Sequence, residues 1–249
     1  MLRTFAGHFI FYMSYEIDQL KLSEQIISIA KKVSVTAGLY IFLTFIIVFI
    51  VYSVGLVSLI GSPEEFIKLS NQTIAEEFIV ANATQIMIVN TVASIVLHYF
   101  LGGIYGMIKQ VNLQPYADLG SAFSTIFSTQ GLKALNVIIL IQIVTTALSY
   151  FLELAGFSLV GLGISLLLQL LTYFAVPSIY ISNFSITKSL NFSIQTVNQK
   201  PGFLFAFIAF TYLLSFVGIL FFGIGIVLTL PLNYIVAYSL YKHIAEQQV

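Results

Sequence analysis

The stretch that decides the fold is Val35–Ile60, VTAGLYIFLTFIIVFIVYSVGLVSLI, in which no residue carries a charge. A helix needs about 20 apolar residues to cross a bilayer, and this run exceeds that. Five more stretches qualify: Thr84–Ile108, Leu132–Ala155, Gly156–Ile181, Gly202–Phe221 and Phe222–Ile244. The last two pairs are nearly continuous. Each pair would span about 70 Å as one helix at 1.5 Å per residue, too long for a single crossing. Antiparallel hairpins are therefore expected, turning at Gly156 and around Gly218, Gly223 and Gly225. A strand barrel would alternate apolar and polar residues, whereas runs such as Phe45–Val51 and Val137–Ile141 are continuously apolar.

The whole chain agrees with this reading. Of its 249 residues 59% are apolar and 8% charged, against roughly 25% charged in a soluble domain. The mean hydropathy is +0.99. The expected class is all-α: a polytopic transmembrane bundle of six crossings with amphipathic cytoplasmic surface helices, forming one integral membrane domain over 1–249. No cysteine is present, which excludes disulfides and thiol chemistry. The net charge is zero, so nucleic-acid binding has no electrostatic support. The segment Phe5–Met13 is short and precedes Glu16 and Asp18, so it reads as an interfacial arm rather than a cleaved signal.

Charge sets the expected orientation. Arg3, Lys21, Lys31, Lys32, Lys109, Lys133, Lys188, Lys200 and Lys242 fall on one side of a six-crossing chain, with Lys68 the exception. Basic residues collect on the cytoplasmic side, so both termini are expected there, in a cell inner membrane. The opposite side carries Glu64, Glu65, Glu76, Glu77 and Glu153. Ser62-Pro63-Glu64-Glu65 starts a short surface helix in the loop Gly61–Ala83. Asn71-Gln72-Thr73 and Asn82-Ala83-Thr84 match the glycosylation pattern, which short polar loops also produce by chance.

A repeat is also visible. Leu22, Ile26, Ile29 and Val33 share one helical face before the first crossing. Leu119, Phe123, Ile126 and Phe127 do so before the third, and Ile186, Leu190, Ile194 and Val197 before the fifth. Such spacing marks amphipathic helices, here expected to lie at the membrane surface with those apolar faces in the lipid. The unit is a surface helix and two crossings, at about 20–108, 117–181 and 185–244. Ser121-Ala122-Phe123-Ser124 resembles Ser189-Leu190-Asn191-Phe192-Ser193, and Gly161-Leu162-Gly163-Ile164 resembles Gly223-Ile224-Gly225-Ile226.

The run Gly223-Ile224-Gly225-Ile226-Val227-Leu228-Thr229-Leu230-Pro231, followed by Tyr234, Ala237 and Tyr241, resembles the last helix of a bacterial family. So does the segment Ile186–Lys200 before it. The family is that of six-helix membrane proteins related to the membrane domain of glycerophosphoryl diester phosphodiesterase. The resemblance implies a six-helix membrane fold. The soluble phosphodiesterase barrel of some members is absent, so its catalysis does not carry over.

Polar residues inside a membrane are the first place to look for function. Asn90, Ser94, His98, Gly102 and Gly106 recur at i, i+4 along the second crossing. They form either a polar pathway with His98 as a proton relay, or a packing seam built on the Gly102/Gly106 pair with His98 buried and neutral. Gln142 and Gln169, in the third and fourth crossings, either line a small polar cavity with that stripe or bond within the bundle. Pro177 and Pro231 lie inside the fourth and sixth crossings and are expected to kink them. No carboxylate lies deep in a crossing, and no metal, cofactor or catalytic motif is recognisable. The expected function is non-enzymatic organisation of membrane lipids or other membrane proteins. The alternative is a transporter or channel for a small or lipophilic solute.

Overall fold

The computed structural model describes residues 16–218 and 229–247. Among these every element is a helix, and four helices are long and apolar enough to cross a membrane. The first, α1 (Gln19–Ile60), is capped by Asp18, whose carboxylate accepts from the Lys21 amide, and ends on Gly61 at φ 84°, where glycine avoids the Cβ clash of a left-handed residue. Two short helices follow, α2 (Pro63–Lys68), capped by Ser62, and α3 (Gln72–Ala81), capped by Asn71. Then come α4 (Ala83–Leu101), α5 (Ile104–Val111), α6 (Leu119–Ile126) and α7 (Thr129–Leu154). Gly156, at φ 82°, turns α7 into α8 (Ser158–Leu171). The chain continues through α9 (Ala175–Ser182), α10 (Ile186–Gln199), α11 (Pro201–Val217) and α12 (Pro231–Ala245).

Two expectations need correction. The surface helix before the first crossing is not separate, because α1 runs unbroken for 42 residues, about 63 Å at the α-helical rise. No proline or glycine pair interrupts Leu22–Val35, so nothing ends the helix there. The apolar face of α10 expected in lipid instead packs largely on protein, with Ile186 and Leu190 against the core and Val197 buried. Ser189, Ser193, Thr196 and Val197 are buried, whereas Ile194 is exposed. Small hydroxyl residues let α10 approach α8 and α9 closely, and they carry hydrogen bonds that isoleucine cannot.

In the loop Gly61–Ala83 there are two helices rather than one. Asn71 and Asn82, the residues of the glycosylation pattern, both have local structural bonds. Asn71 accepts from the Thr73 and Ile74 amides, and Asn82 donates to the Phe78 carbonyl.

Burial is concentrated at one end of the bundle. Every residue from Leu101 to Ile108 is buried, as are Phe174, Ala175 and Pro177–Tyr180 and most of α12. The first halves of α1 and α7 pack there too, through Val33, Ala37, Tyr40, Ile41, Ala134 and Val137. We call this the core end. The other end, approached by α2 and α3, is the loop end, where α1, α7 and α8 expose Phe49, Val54, Phe151 and Leu159.

Three helical paths are interrupted where they enter the core. The first break is Gly102-Gly103, between α4 and α5. The second is Thr172–Phe174, between α8 and α9. The third lies before Pro231, which opens α12 at N1. Pro177 sits three residues into α9, just beyond the second break. The turn around Gly223 and Gly225 lies outside the described residues, as do the segment Phe5–Met13 and the final two residues.

Candidate functional site

Breaking a helix frees backbone groups that must find partners away from water. At the first break Tyr40 donates its hydroxyl to the Phe100 carbonyl at 2.7 Å. At the second, Ser193 of α10 donates to the Leu171 carbonyl at 2.7 Å and accepts from the Phe174 amide at 2.9 Å. One hydroxyl thus replaces two lost helical contacts. Near the third, Thr229 donates to the Ser215 carbonyl at 2.6 Å, and Ser215 donates back to that of Thr229 at 3.3 Å.

Beyond the breaks, α5, α9 and α12 are tied pairwise. Lys109 donates to the Tyr180 carbonyl at 3.2 Å, Asn112 to the Tyr238 hydroxyl at 2.8 Å, and the Tyr241 hydroxyl to Ser182 at 2.6 Å. Tyrosine rings fill the space between them: Tyr105 lies 5.5 Å from Tyr180 and 5.7 Å from Tyr234. The Tyr105–Tyr234 pair is edge-on, a contact that adds about 1 kcal/mol beyond burial.

Gly102 and Gly106 lie in this packing. A Cβ on Gly102 would stand 2.7 Å from the Tyr180 hydroxyl, and one on Gly106 would overlap Thr125 and the Ser121 backbone. Gly103, between them, is equally tight, since a Cβ there would come 2.5 Å from the Tyr40 hydroxyl.

The polar residues predicted from the sequence lie on the loop-end side of this core. Asn90 and His98 are exposed and Ser94 is half-buried. His98 keeps its Nδ1 bond on its own helix, 2.8 Å from the Ser94 carbonyl; the expectation of a buried imidazole is corrected. Gln142 is half-buried and Gln169 exposed.

Helical phase shows which way these residues point. Residues seven and eleven apart return to nearly the same sector. Asn90 therefore shares a sector with Leu97 and Leu101, which pack into the core. Val89 touches Gly55 of α1 on one flank, and Thr84 and Thr91 bond Tyr150 and Thr146 of α7 on the other. On α7, Gln142 falls between the α4-facing Thr146 and the sector of Ser149, which pairs with Ser165 of α8. Gln169 is seven residues from Leu162 and shares its exposed sector. The sectors of Asn90 and Gln142 turn inward above the core, whereas that of Gln169 does not.

Among the described residues six buried side-chain polar atoms are without a hydrogen bond. They include the Tyr180 hydroxyl, the Thr145 hydroxyl, the Ser239 hydroxyl and both amide atoms of Asn233. Of these the sequence singles out only Thr145, on the polar face it shares with Gln142. The only other hint was local, namely that Asn233 follows Pro231 and Tyr180 follows Pro177. Among the described residues no group of three His, Cys, Asp or Glu side chains comes together.

Outside the apolar segments, Asp118 joins α5 to α6. The Gln110 side chain donates to it at 2.6 Å and the Ser121 amide at 2.7 Å. The Gln110 amide is the main cause holding its carboxyl below the usual range, and the Ser121 amide is the next.

Comparison with family models, with curated proteins and with solved structures found no match. The resemblance to the phosphodiesterase-associated membrane proteins rests on the residues quoted above, of which Gly223–Leu228 lie outside the described part.

Proposed function

We propose that this is an integral membrane protein with six crossings and both termini cytoplasmic, acting without covalent chemistry. In this reading it holds lipid, or another membrane protein, against the thinly packed loop end of its bundle. The observation that carries the reading is the contrast along single helices. The α7 residues Ala134 and Val137 are fully buried, whereas Ile143, Leu148 and Phe151 are exposed. In a bilayer such residues meet acyl chains at no hydrophobic cost.

Native mass spectrometry of the detergent-extracted chain tests this. Lipid retained in defined stoichiometry, with melting lowered by delipidation, is the expected outcome. A delipidated chain that melts unchanged and retains no lipid overturns the reading. Topology is tested separately by reporter fusions at Gln72 and Gln248, expected on opposite sides of the membrane.

A second reading, transport of a small or lipophilic solute, is favoured by the three helix breaks. Interrupted helices with free backbone groups often mark transport sites. Here hydroxyl side chains occupy the groups identified at each break, so the breaks support a rigid core more directly than a path.

A further inference from the structure

We infer that the outward face of α10 binds the phosphate of an anionic phospholipid headgroup at the cytoplasmic surface. The inference goes beyond the lipid held at the loop end and rests only on the six-crossing topology.

The site is a groove of about 460 Å³, lined among the described residues by Ser185, Thr187, Lys188, Asn191, Phe192 and Gln195. Its volume equals roughly fifteen waters at about 30 Å³ each. The lining residues recur at three- and four-residue spacing, on the side of α10 away from the buried Ser189, Ser193 and Val197. The buried side is fastened to the core, because Ser193 bonds both edges of the second helix break. The groove is therefore carried on a pinned helix and is formed before a ligand arrives.

One cation stands in the groove. The Lys188 ammonium lies 4.0 Å from the centre of the Phe184 ring, a contact that positions a cation without neutralising it. The helices α7, α8, α9 and α11 pack against α10. Their only acidic residue is Glu153, at the loop-end terminus of α7. Beyond it no Asp or Glu occurs before Glu246, and Glu246 pairs with Lys242 at 3.9 Å. A second lysine, Lys133 of α7, reaches the turn before α10 and donates to the Asn183 side chain at 3.0 Å.

A cation without a counter-charge, set among two hydroxyls and two amides, suits a phosphate, whose oxygens accept from several directions. A phosphocholine brings a cation of its own, so a lipid of net negative charge is favoured. The depth points to lipid rather than to a soluble anion. Helix α10 starts at Ile186, four residues past Ser182, where the fourth apolar path ends. Ile194 is exposed in the sector of Thr187 and gives the glycerol and acyl carbons an apolar border. The Phe192 ring, packed on Phe184 and Tyr241, gives them a floor.

The test titrates the full chain in detergent with dioleoylphosphatidylglycerol or dioleoylphosphatidylcholine and counts bound lipid by native mass spectrometry. Phosphatidylglycerol is expected to bind the more tightly. Lys188→Met should weaken its binding about tenfold, the value of one hydrogen bond to a charged group, and Asn191→Leu about fivefold. Lys32→Met, which removes an exposed lysine of α1 at the same end, should leave it unchanged. Excess inorganic phosphate should not displace the lipid. Melting curves identify any variant that misfolds, and Asn191→Leu decides the matter if Lys188→Met does so.

Equal binding of the two lipids, or an equal loss in Lys188→Met and Lys32→Met, overturns the inference, since diffuse attraction to basic side chains then suffices. Displacement by inorganic phosphate overturns the lipid assignment and makes the groove a site for a soluble phosphate. The loop-end reading is judged separately, because lipid held there is retained by Lys188→Met, and the topology is judged by the reporter fusions.

Discussion

At the core end α5 and α9, each broken off from a longer path, and α12 are short and buried on nearly every side. At the loop end α8 and the second halves of α1 and α7 are regular helices with many exposed side chains among the described residues. The irregular backbone is thus where packing is densest. Unbonded backbone is tolerable in a membrane only inside protein, so the breaks require the dense packing around them. The regular stretches satisfy their own backbone and can stand in lipid. This contrast places the rigid part of the molecule at the core end.

The sharpest way to break the comparison is with glycine. Gly106→Leu at the core end should cost about 3 kcal/mol or more, because the added side chain meets Thr125 and the Ser121 backbone and overpacking is poorly relieved. Gly163→Ala, in α8, meets nothing within 4 Å and should stabilise by about 0.5–1 kcal/mol through helix propensity. Thermal unfolding in detergent measures both. Equal effects would remove the distinction between the ends.

Hydroxyls sharpen it next. Ser193→Ala leaves the Leu171 carbonyl and the Phe174 amide unpartnered at the second break and should cost about 1–3 kcal/mol. Ser165→Ala, at the loop end, loses a bond to Ser149 and one to the Gly161 carbonyl inside an intact helix. That loss should cost less than about 1 kcal/mol. A larger cost at Ser165 would place the rigid part of the bundle at the wrong end.

The apolar runs were readable because a bilayer demands them, and α1, α7 and the paths α4–α5 and α8–α9 follow from that demand. Ser62-Pro63-Glu64 started α2 as its cap chemistry predicts. The breaks were only half legible. Pro177 and Pro231 gave a signal, but Gly102-Gly103 read as part of a packing stripe, since glycine serves both purposes. Ser193 was missed because its role depends on a carbonyl 22 residues earlier in the chain, and no local pattern encodes that. The α10 face was misread for a related reason: apolarity does not tell lipid from core, and Ile186, Leu190 and Val197 pack on protein beside Ser189, Ser193 and Thr196, whose small side chains allow close helix approach.

Asn233 tests the core end from within. Its amide is buried and unbonded, a cost with no return unless the residue serves a purpose. Asn233→Leu should therefore leave stability unchanged or raise it by about 1 kcal/mol. A clear loss of melting temperature would mean the amide has a partner in the membrane, such as a bound water.

The smallest effect is expected at Asp118, in the connection that brings α6 against α5. Its folded pKa is depressed, first by the Gln110 side chain and then by the Ser121 amide. A depressed carboxylate stabilises the fold above its unfolded pKa, and that contribution fades as pH falls through the folded value. The side chain is fully exposed, so solvent screens the interaction. Asp118→Ala removes the cap of α6 together with the Gln110 bond. The parent should melt slightly above this variant at neutral pH, and the gap should narrow below the ordinary carboxylate range as the parent protonates. A gap constant down to the most acid pH would mean that the hydrogen-bonding shape of the side chain matters and its charge does not. Because Asp118 closes the core end from the aqueous side, a loop-end substitution such as Gly163→Ala, which touches no titrating group, should show no such pH dependence.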